Sequence, residues 1–160
     1  MRYGENPNQE AYLVSGGKQI FDYQISGKKI SYNNIIDLDS GLKCLSEFSE
    51  PTSIIVKHTN PCGVASSKDI KSAFIKSFES DKKSAFGGII FLNRKVTSDL
   101  AQIIIKYFFE MIVAPGFDNN ATKILKVKKN LILLKMPNYK NKVTDYRSTL
   151  FGDLYQTRDI

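Results

Sequence analysis

The sequence has few of the residues and patterns on which common protein chemistries depend. It has two cysteines, Cys44 and Cys62, and a single histidine, His58. Two cysteines without a Cys-x-x-Cys pair predict neither a disulfide framework nor a zinc site. No apolar run approaches the roughly 18 residues of a membrane-spanning helix, and the N-terminus has no apolar segment typical of a signal peptide. We therefore expect a cytoplasmic protein with no membrane partner.

Several catalytic signatures are also missing. The chain has no Gly-x-x-x-x-Gly-Lys-Ser/Thr sequence, which excludes a P-loop nucleotide site, and no Gly-x-Gly-x-x-Gly follows a strand. The Gly-x-Ser-x-Gly elbow of α/β-hydrolases is absent as well. Zinc deaminases need a His-x-Glu pair and a Pro-Cys-x-x-Cys pair, whereas here His58 is followed by Thr59-Asn60 and Cys62 has no second cysteine at that spacing. We expect no bound metal.

The formal net charge is +7 on 160 residues. Such a balance is compatible with nucleic-acid binding or with a site for anionic small molecules. The lysines are scattered, however, and the tight cluster Lys126-Val127-Lys128-Lys129 is better explained as a solvated helix end. We therefore expect no nucleic-acid partner.

Short apolar runs alternate with amphipathic helical patterns along most of the chain. The runs at 54–56, 89–92, 111–113 and 131–134 predict four buried strands, and 11–14 and 20–25 predict two more short ones. Helical patterns begin near Asn33, Asp69, Thr97 and Asp118. This alternation predicts an α/β fold with three layers, α/β/α, and a mostly parallel sheet covered on both faces. Because the pattern ends at Pro137, we expect a domain over 1–137 and a polar tail over 138–160.

The run at 53–56 leads directly into Lys57-His58-Thr59-Asn60-Pro61. Proline donates no backbone hydrogen bond and restricts the residue before it, so Asn60-Pro61 predicts the end of this strand. Lys57 and His58 would then lie where a buried strand leaves its sheet, which is where ligands bind in open α/β sheets. Neighbouring strand residues point to opposite faces, so both side chains reach one pocket only if the chain bends. These residues alone leave open a structural histidine and a lysine that reaches into water.

Five motifs occur in order: Arg2-Tyr3-Gly4-Glu5-Asn6-Pro7, Ser31-Tyr32-Asn33-Asn34, Val56-Lys57-His58-Thr59-Asn60-Pro61-Cys62-Gly63, Ser84-Ala85-Phe86-Gly87-Gly88 and Ile112-Val113-Ala114-Pro115-Gly116-Phe117. Together with Lys128-Lys129-Asn130-Leu131 and Tyr146-Arg147-Ser148, they closely resemble the formyltransferase part of the bifunctional purine-biosynthesis family, AICAR transformylase/IMP cyclohydrolase. The resemblance covers essentially the whole chain.

This resemblance implies a fold, a reaction and partners. The fold is one of two cytidine-deaminase-like α/β/α units without the deaminase zinc. The reaction moves a formyl group from the co-substrate 10-formyltetrahydrofolate to the 5-amino group of AICAR, and the family's sites form across a homodimer. The cyclohydrolase domain and the second deaminase-like unit would be missing from this chain, so we expect little activity from it alone. The alternative is a non-catalytic basic binding or interaction module derived from that enzyme.

The resemblance also implies roles for individual residues. Lys57 and His58 match the family's catalytic pair, with neutral His58 as the base for a weakly nucleophilic amine and Lys57 as an electrostatic aid. Arg2 offers planar, multi-donor recognition of an anion. The substrate-site residues that the resemblance implies are Arg2, Tyr3, Asn60, Gly87 and Glu110.

Overall fold

The structure is a computed structural model that describes residues 3–14, 19–137 and 144–157. A 3₁₀ helix at Ile20–Tyr23 precedes the regular elements. These are β1 (Gln24–Ser26), α1 (Tyr32–Leu45), β2 (Thr52–Lys57), β3 (Asn60–Ser66), α2 (Ile70–Ser80), α3 (Lys82–Ala85), β4 (Ile89–Leu92), α4 (Ser98–Ile104), β5 (Met111–Ala114), α5 (Asn119–Leu125), β6 (Ile132–Lys135), β7 (Thr144–Thr149) and β8 (Gly152–Thr157).

The four apolar runs predicted as buried strands are strands, namely β2, β4, β5 and β6. The prediction for 11–14 is wrong, because this stretch forms no strand, and 20–25 is a 3₁₀ helix followed by the short β1. The strand β3 was not predicted, because its Pro61 and Gly63 are unusual inside a strand.

Within the described residues, six strands form one sheet in the order β1-β6-β5-β4-β2-β3. The strands β4, β5 and β6 pair in parallel, whereas β1 with β6, β2 with β4 and β2 with β3 pair antiparallel. Consequently β3, β4, β5 and β6 all run in one direction, and the prediction of a mostly parallel sheet is confirmed in that sense. The apolar run of β2 could not reveal its reversed direction, because a strand buried on both faces is apolar in either orientation.

Helices cover both faces of this sheet, which confirms the three-layer prediction. Successive strand side chains alternate between the faces. One face packs on α2, α4 and α5 through Ile55, Ile90, Ile112 and Leu133. The opposite face packs on α1 through Ile54, Val56, Phe91, Val113 and Leu134.

After Pro137, the described residues form the antiparallel hairpin β7–β8. The rings of Tyr146 and Tyr155 lie 5.2 Å apart across it, and Leu150 and Phe151 at its tip are fully exposed. Lys43 of α1 approaches Asp145 of β7 at 3.7 Å. The domain boundary near 137 stays a prediction. Among the residues described, no helix is long and apolar enough to cross a membrane.

Candidate active site

His58 and Thr59 are the two central residues of the tight turn that joins β2 to β3. Lys57 pairs with Asn60 across the hairpin, and φ is 52° at His58 and 64° at Thr59. Positive φ at both central positions defines a type I′ turn, for which Asn-Gly is the usual sequence. A β-branched residue in this region is an outlier, and such backbone conformations cost about 1–3 kcal/mol each.

The expectation that Asn60-Pro61 ends the strand is therefore wrong. The chain turns two residues earlier, and Asn60 and Pro61 open β3. Pro61 is tolerated because β3 is the edge strand of the sheet, where a missing backbone donor need not cost a ladder hydrogen bond. The bend in the chain is thus the turn itself, with Lys57 at the end of β2 and His58 at the first central position of the turn.

The turn lies at the opposite end of the sheet's strands from the one expected. Because β2 runs antiparallel to β4, the carboxyl end of β2 lies beside the amino ends of β4, β5 and β6. The turn therefore does not lie in the carboxyl-end crevice in which ligands bind to parallel sheets. The residues that lie at this end of the sheet are those that precede β4, β5 and β6. They include Gly87, before β4, and Glu110, before β5.

Lys57 is held against the segment that contains Gly87. Its Nζ donates a hydrogen bond of 2.8 Å to the carbonyl oxygen of Phe86. Gly87 has φ of 76°, in the region that favours glycine, and its N–H donates to the carbonyl of Phe108 at 2.9 Å. The exposed rings of Phe86 and Phe108 lie 5.1 Å apart. The ammonium group and the glycine backbone thus share one surface.

Glu110 is the centre of a second cluster of polar side chains at this end of the sheet. Its N–H donates to the carbonyl of Gly88 at 3.1 Å, which links it to the Gly87 segment. Its Oε2 accepts a hydrogen bond of 3.1 Å from Asn34 and lies 3.5 Å from Nζ of Lys28. A carboxylate has two acceptor oxygens, so with an amide donor and a cation on one side it can still accept further hydrogen bonds.

Asn34 owes its position to the start of α1. Ser31 is the N-cap, and its Oγ accepts from the N–H of Asn34 at 3.2 Å, while Oδ1 of Asn34 accepts from the N–H of Ser31 at 3.2 Å. This reciprocal pair is a capping box with asparagine at its third position. Asn34 is 4% exposed, so its remaining amide donor is fixed towards Glu110. The sequence predicted a helix start near Asn33, but not the contact of Asn34 with Glu110, which lies 76 residues further along the chain.

A cleft of about 350 Å³ opens beside Glu110. Its lining is basic and aromatic and consists of Lys28, Phe108, Phe109, Glu110, Lys128, Lys129, Asn130 and Leu131. The motif that contains Lys128 and Lys129 thus lies next to Glu110, although about 20 residues separate them in sequence. Lys28 was not singled out from the sequence, since an isolated lysine carries no signal there.

The structure brings most of the predicted site residues to the end of the sheet at which β2 ends and β4, β5 and β6 begin. Asn60 is exposed, and its Nδ2 donates to the carbonyl of His58 at 2.9 Å. Tyr3 is partly buried in a segment whose Glu5 carbonyl accepts from the Asn33 side chain of α1 at 3.5 Å. Arg2 lies outside the described residues.

Both cysteines are free. Sγ of Cys62 donates to the carbonyl of Ile55 at 3.5 Å, and burial raises the pKa of the Cys62 thiol. Among the described residues, no group of three or more His, Cys, Asp or Glu side chains could hold a metal ion.

The comparisons with known proteins agree on a family. The family model described as AICARFT/IMPCHase bienzyme matches residues 1–160. The chain is 43% identical over 163 residues to the bifunctional purine biosynthesis protein PurH of Thermoanaerobacter sp., with 99% of this chain and 32% of that protein covered. It is 44% identical over 168 residues to PurH of Caldicellulosiruptor bescii, with 99% and 33% covered. The chain therefore spans about a third of the length of these relatives.

Solved structures bear on the fold. A candidate formate dehydrogenase accessory protein from Desulfotalea psychrophila superposes with a TM-score of 0.52 at 10% identity, over 66% of this chain and 54% of that one. A dCMP deaminase from the cyanophage S-TIM5 has a TM-score of 0.45 at 10% identity, over 61% of this chain and 94% of that one. The first likeness supports the layered α/β fold. From the match along its whole length, the chain belongs to the AICARFT/IMPCHase bienzyme family.

Proposed function

We propose that this chain supplies the catalytic pair and part of the nucleotide site of an AICAR transformylase. The reaction transfers a formyl group from the co-substrate 10-formyltetrahydrofolate to the 5-amino group of AICAR, in purine synthesis towards IMP. The observation that carries the proposal is the hydrogen bond from Lys57 Nζ to the Phe86 carbonyl, 2.8 Å long. It holds the cation of a Lys-His pair against the glycine turn that the same family resemblance assigns to the nucleotide.

In this proposal His58 is the general base. The amine of AICAR is conjugated with its ring and is a weak nucleophile, so its attack on the formyl carbon is assisted when His58 removes a proton from it. The bond from the formyl carbon to the folate nitrogen then breaks, and His58 returns the proton to that nitrogen, so that tetrahydrofolate leaves. A positioned base typically contributes 10²–10⁴-fold. The imidazole of His58 suits this role, because histidine is the side chain that exchanges protons near neutral pH, and His58 is exposed at the turn.

Lys57 would stabilise the negative charge that develops on the formyl oxygen. An ammonium group has three donors, and the Phe86 carbonyl accepts one of them. The other two donors are the ones we assign to the transition state. A donor that is already oriented costs little reorganisation during the reaction, and the contact with Phe86 provides that orientation.

Glu110 would recognise N–H groups of the nucleotide base. Asn34 and Lys28 both contact Oε2, and we propose Oε1 as the acceptor for the substrate. Gly87 would allow close approach of the substrate to the backbone, because it has no side chain in the way. Arg2, Tyr3 and Asn60 complete the proposed substrate contacts, with Arg2 binding an anionic group.

Other contacts would come from the two thirds of the relatives' length that this chain does not span. Positioning two substrates supplies much of the rate of a bimolecular reaction, so we propose that this chain has little transformylase activity by itself. The homodimer implied by the family resemblance belongs to the same proposal, since a partner copy would contribute further surface to the site.

Two calorimetric titrations of the purified chain, one with AICAR and one with a single-stranded oligonucleotide, test the nucleotide site. We expect saturable AICAR binding that Glu110→Ala weakens at least tenfold. Oligonucleotide binding without AICAR binding would instead support the basic binding module.

Formyl transfer is then assayed with the chain alone and after addition of the remaining transformylase region of a relative. Rescue by that addition supports a divided site, and full turnover without it would contradict the proposed division.

A further inference from the structure

Two side chains of α1 reach the hairpin turn that carries His58. Oδ1 of Asp37 accepts a hydrogen bond of 2.7 Å from the N–H of Thr59. Oγ of Ser40 donates a hydrogen bond of 2.6 Å to the carbonyl oxygen of Thr59. Residues three apart lie on the same face of a helix, so one face of α1 holds both backbone polar groups of a single turn residue. We call Asp37 and Ser40 the α1 clamp.

The turn requires support of this kind. Both of its central residues have positive φ, and neither is glycine. Such conformations persist only where the surroundings over-determine them, and they cluster at functional sites. The turn's own side chains bond within it, since Thr59 Oγ1 and Asn60 Nδ2 both donate to the His58 carbonyl. In the part of the chain that the structure describes, the hydrogen bonds that tie Thr59 to another element are those of the α1 clamp.

We propose that Asp37 and Ser40 are positioning residues for His58, a role that rests on the proposed function. The peptide N–H of Thr59 belongs to the same peptide plane as the His58 carbonyl. Fixing that plane therefore fixes the main chain of His58 and the direction in which its side chain leaves the backbone. Neither clamp residue needs to touch a substrate. A misplacement of about 1 Å can cost on the order of 10²-fold in rate, so the clamp would act on turnover more than on binding.

The α1 helix offers a matched control. Asp39 lies on the same helix and is the same residue type, but its carboxylate pairs with Lys43 at 2.7 Å rather than with the turn. Asp37→Ala removes the acceptor for Thr59, whereas Asp37→Asn keeps an acceptor oxygen on a side chain of the same shape. Ser40→Ala and Ser40→Thr give the corresponding pair for the second hydrogen bond.

The first experiment does not require the chain to transfer a formyl group. Amide hydrogen exchange of Thr59 is followed by NMR in the chain and its variants, and the unfolding midpoint of each variant confirms that it folds. We expect Asp37→Ala to speed exchange of the Thr59 amide about tenfold or more, with Asp37→Asn and Asp39→Ala within about threefold of the unsubstituted chain. Equal exchange in Asp37→Ala and Asp39→Ala would overturn the proposal. If Asp37→Ala does not fold, the two Ser40 variants provide the test. His58 is the only histidine in the sequence, so its side-chain NMR resonances can be followed without ambiguity. We expect them to shift in Ser40→Ala and not in Ser40→Thr.

The second experiment measures formyl transfer by the chain complemented with the remaining transformylase region. We expect kcat of Asp37→Ala to fall on the order of 10²-fold, with KM for AICAR changed less than about threefold. Asp37→Asn should recover most of kcat. A loss confined to KM, or an unchanged kcat, would contradict the positioning role. If the unsubstituted chain transfers no formyl group under any of these conditions, the proposed function fails, while the exchange data still decide whether the clamp holds the turn.

Discussion

Replacement of Gly63 by alanine should destabilise the domain strongly, because α2 packs directly on the backbone of β3. A Cβ atom built at Gly63 would lie 1.9 Å from the carbonyl oxygen of Ser77 and 2.8 Å from its carbonyl carbon. These are backbone atoms of α2, so a rotamer change cannot relieve the clash. To reach an ordinary contact of 3.4 Å, α2 must move away from the sheet by about 1.5 Å.

That movement would break buried interactions. Oγ of Ser77 shares a hydrogen bond of 2.8 Å with Ser53 of β2, and both side chains are buried. Overpacking typically costs about 1–3 kcal/mol, and an unsatisfied buried hydroxyl adds about 1–3 kcal/mol. We expect Gly63→Ala to lower the free energy of unfolding by about 3 kcal/mol. With a urea m-value of about 2 kcal/mol/M, the unfolding midpoint should fall by roughly 1.5 M.

Gly116→Ala is the matched control. The nearest atoms to a Cβ there would be Cγ, Cδ and Cβ of Lys95, at 3.4, 3.8 and 4.0 Å, and the Lys95 side chain is exposed. We expect this change to stay within about 0.5 kcal/mol of the unsubstituted chain. Urea unfolding followed by circular dichroism measures both variants. A Gly63→Ala midpoint equal to that of Gly116→Ala would refute the close packing of α2 on β3.

Two further predictions concern ionisable groups. The backbone N–H and then the hydroxyl of Ser72 hold the pKa of Asp69, the N-cap of α2, below its usual value, so the cap's stabilisation is present at neutral pH and is lost as the pH falls through that lowered pKa. The unfolding midpoint should therefore fall more between pH 6 and about pH 3 in the unsubstituted chain than in Asp69→Asn, and parallel profiles would contradict this. Burial raises the pKa of the Cys44 and Cys62 thiols, so both should react with Ellman's reagent more slowly than glutathione at pH 7 and faster as the pH rises; a rate equal to that of glutathione would refute it.

The strands of the sheet centre could be predicted because burial on both faces leaves a continuous apolar run, as in residues 89–92 and 111–113. The start of α2 near Asp69 was also predicted, with Asp69 or a preceding serine as its cap, and it is the side chain of Asp69 that accepts from the N–H of Ser72 at 2.8 Å. These signals are local. Each depends on a few consecutive residues and on the periodicity of one element.

The turn at His58 could not be predicted, because its conformation depends on distant contacts. Positive φ at His58 and Thr59 is unfavourable by local preference, and the hydrogen bonds that stabilise it come from Asp37 and Ser40 on another element. The edge strand β3 was missed for a related reason: Pro61 is excluded from central strands but tolerated at an edge, and position in the sheet is not encoded locally. The motif residues Lys57, Gly87 and Glu110 do lie at one end of the sheet, which is the opposite end from the one expected, and their roles stay predictions.

Turnover of the His58→Ala variant shows whether His58 is the base for formyl transfer, as we propose. The assay uses the chain complemented with the remaining transformylase region, saturating AICAR and 10-formyltetrahydrofolate, and Asp39→Ala as the control for an exposed substitution nearby. We expect kcat of His58→Ala to fall by about 10²–10⁴-fold, while its unfolding midpoint is unchanged and the control keeps its activity. Turnover of His58→Ala equal to that of the control would contradict it.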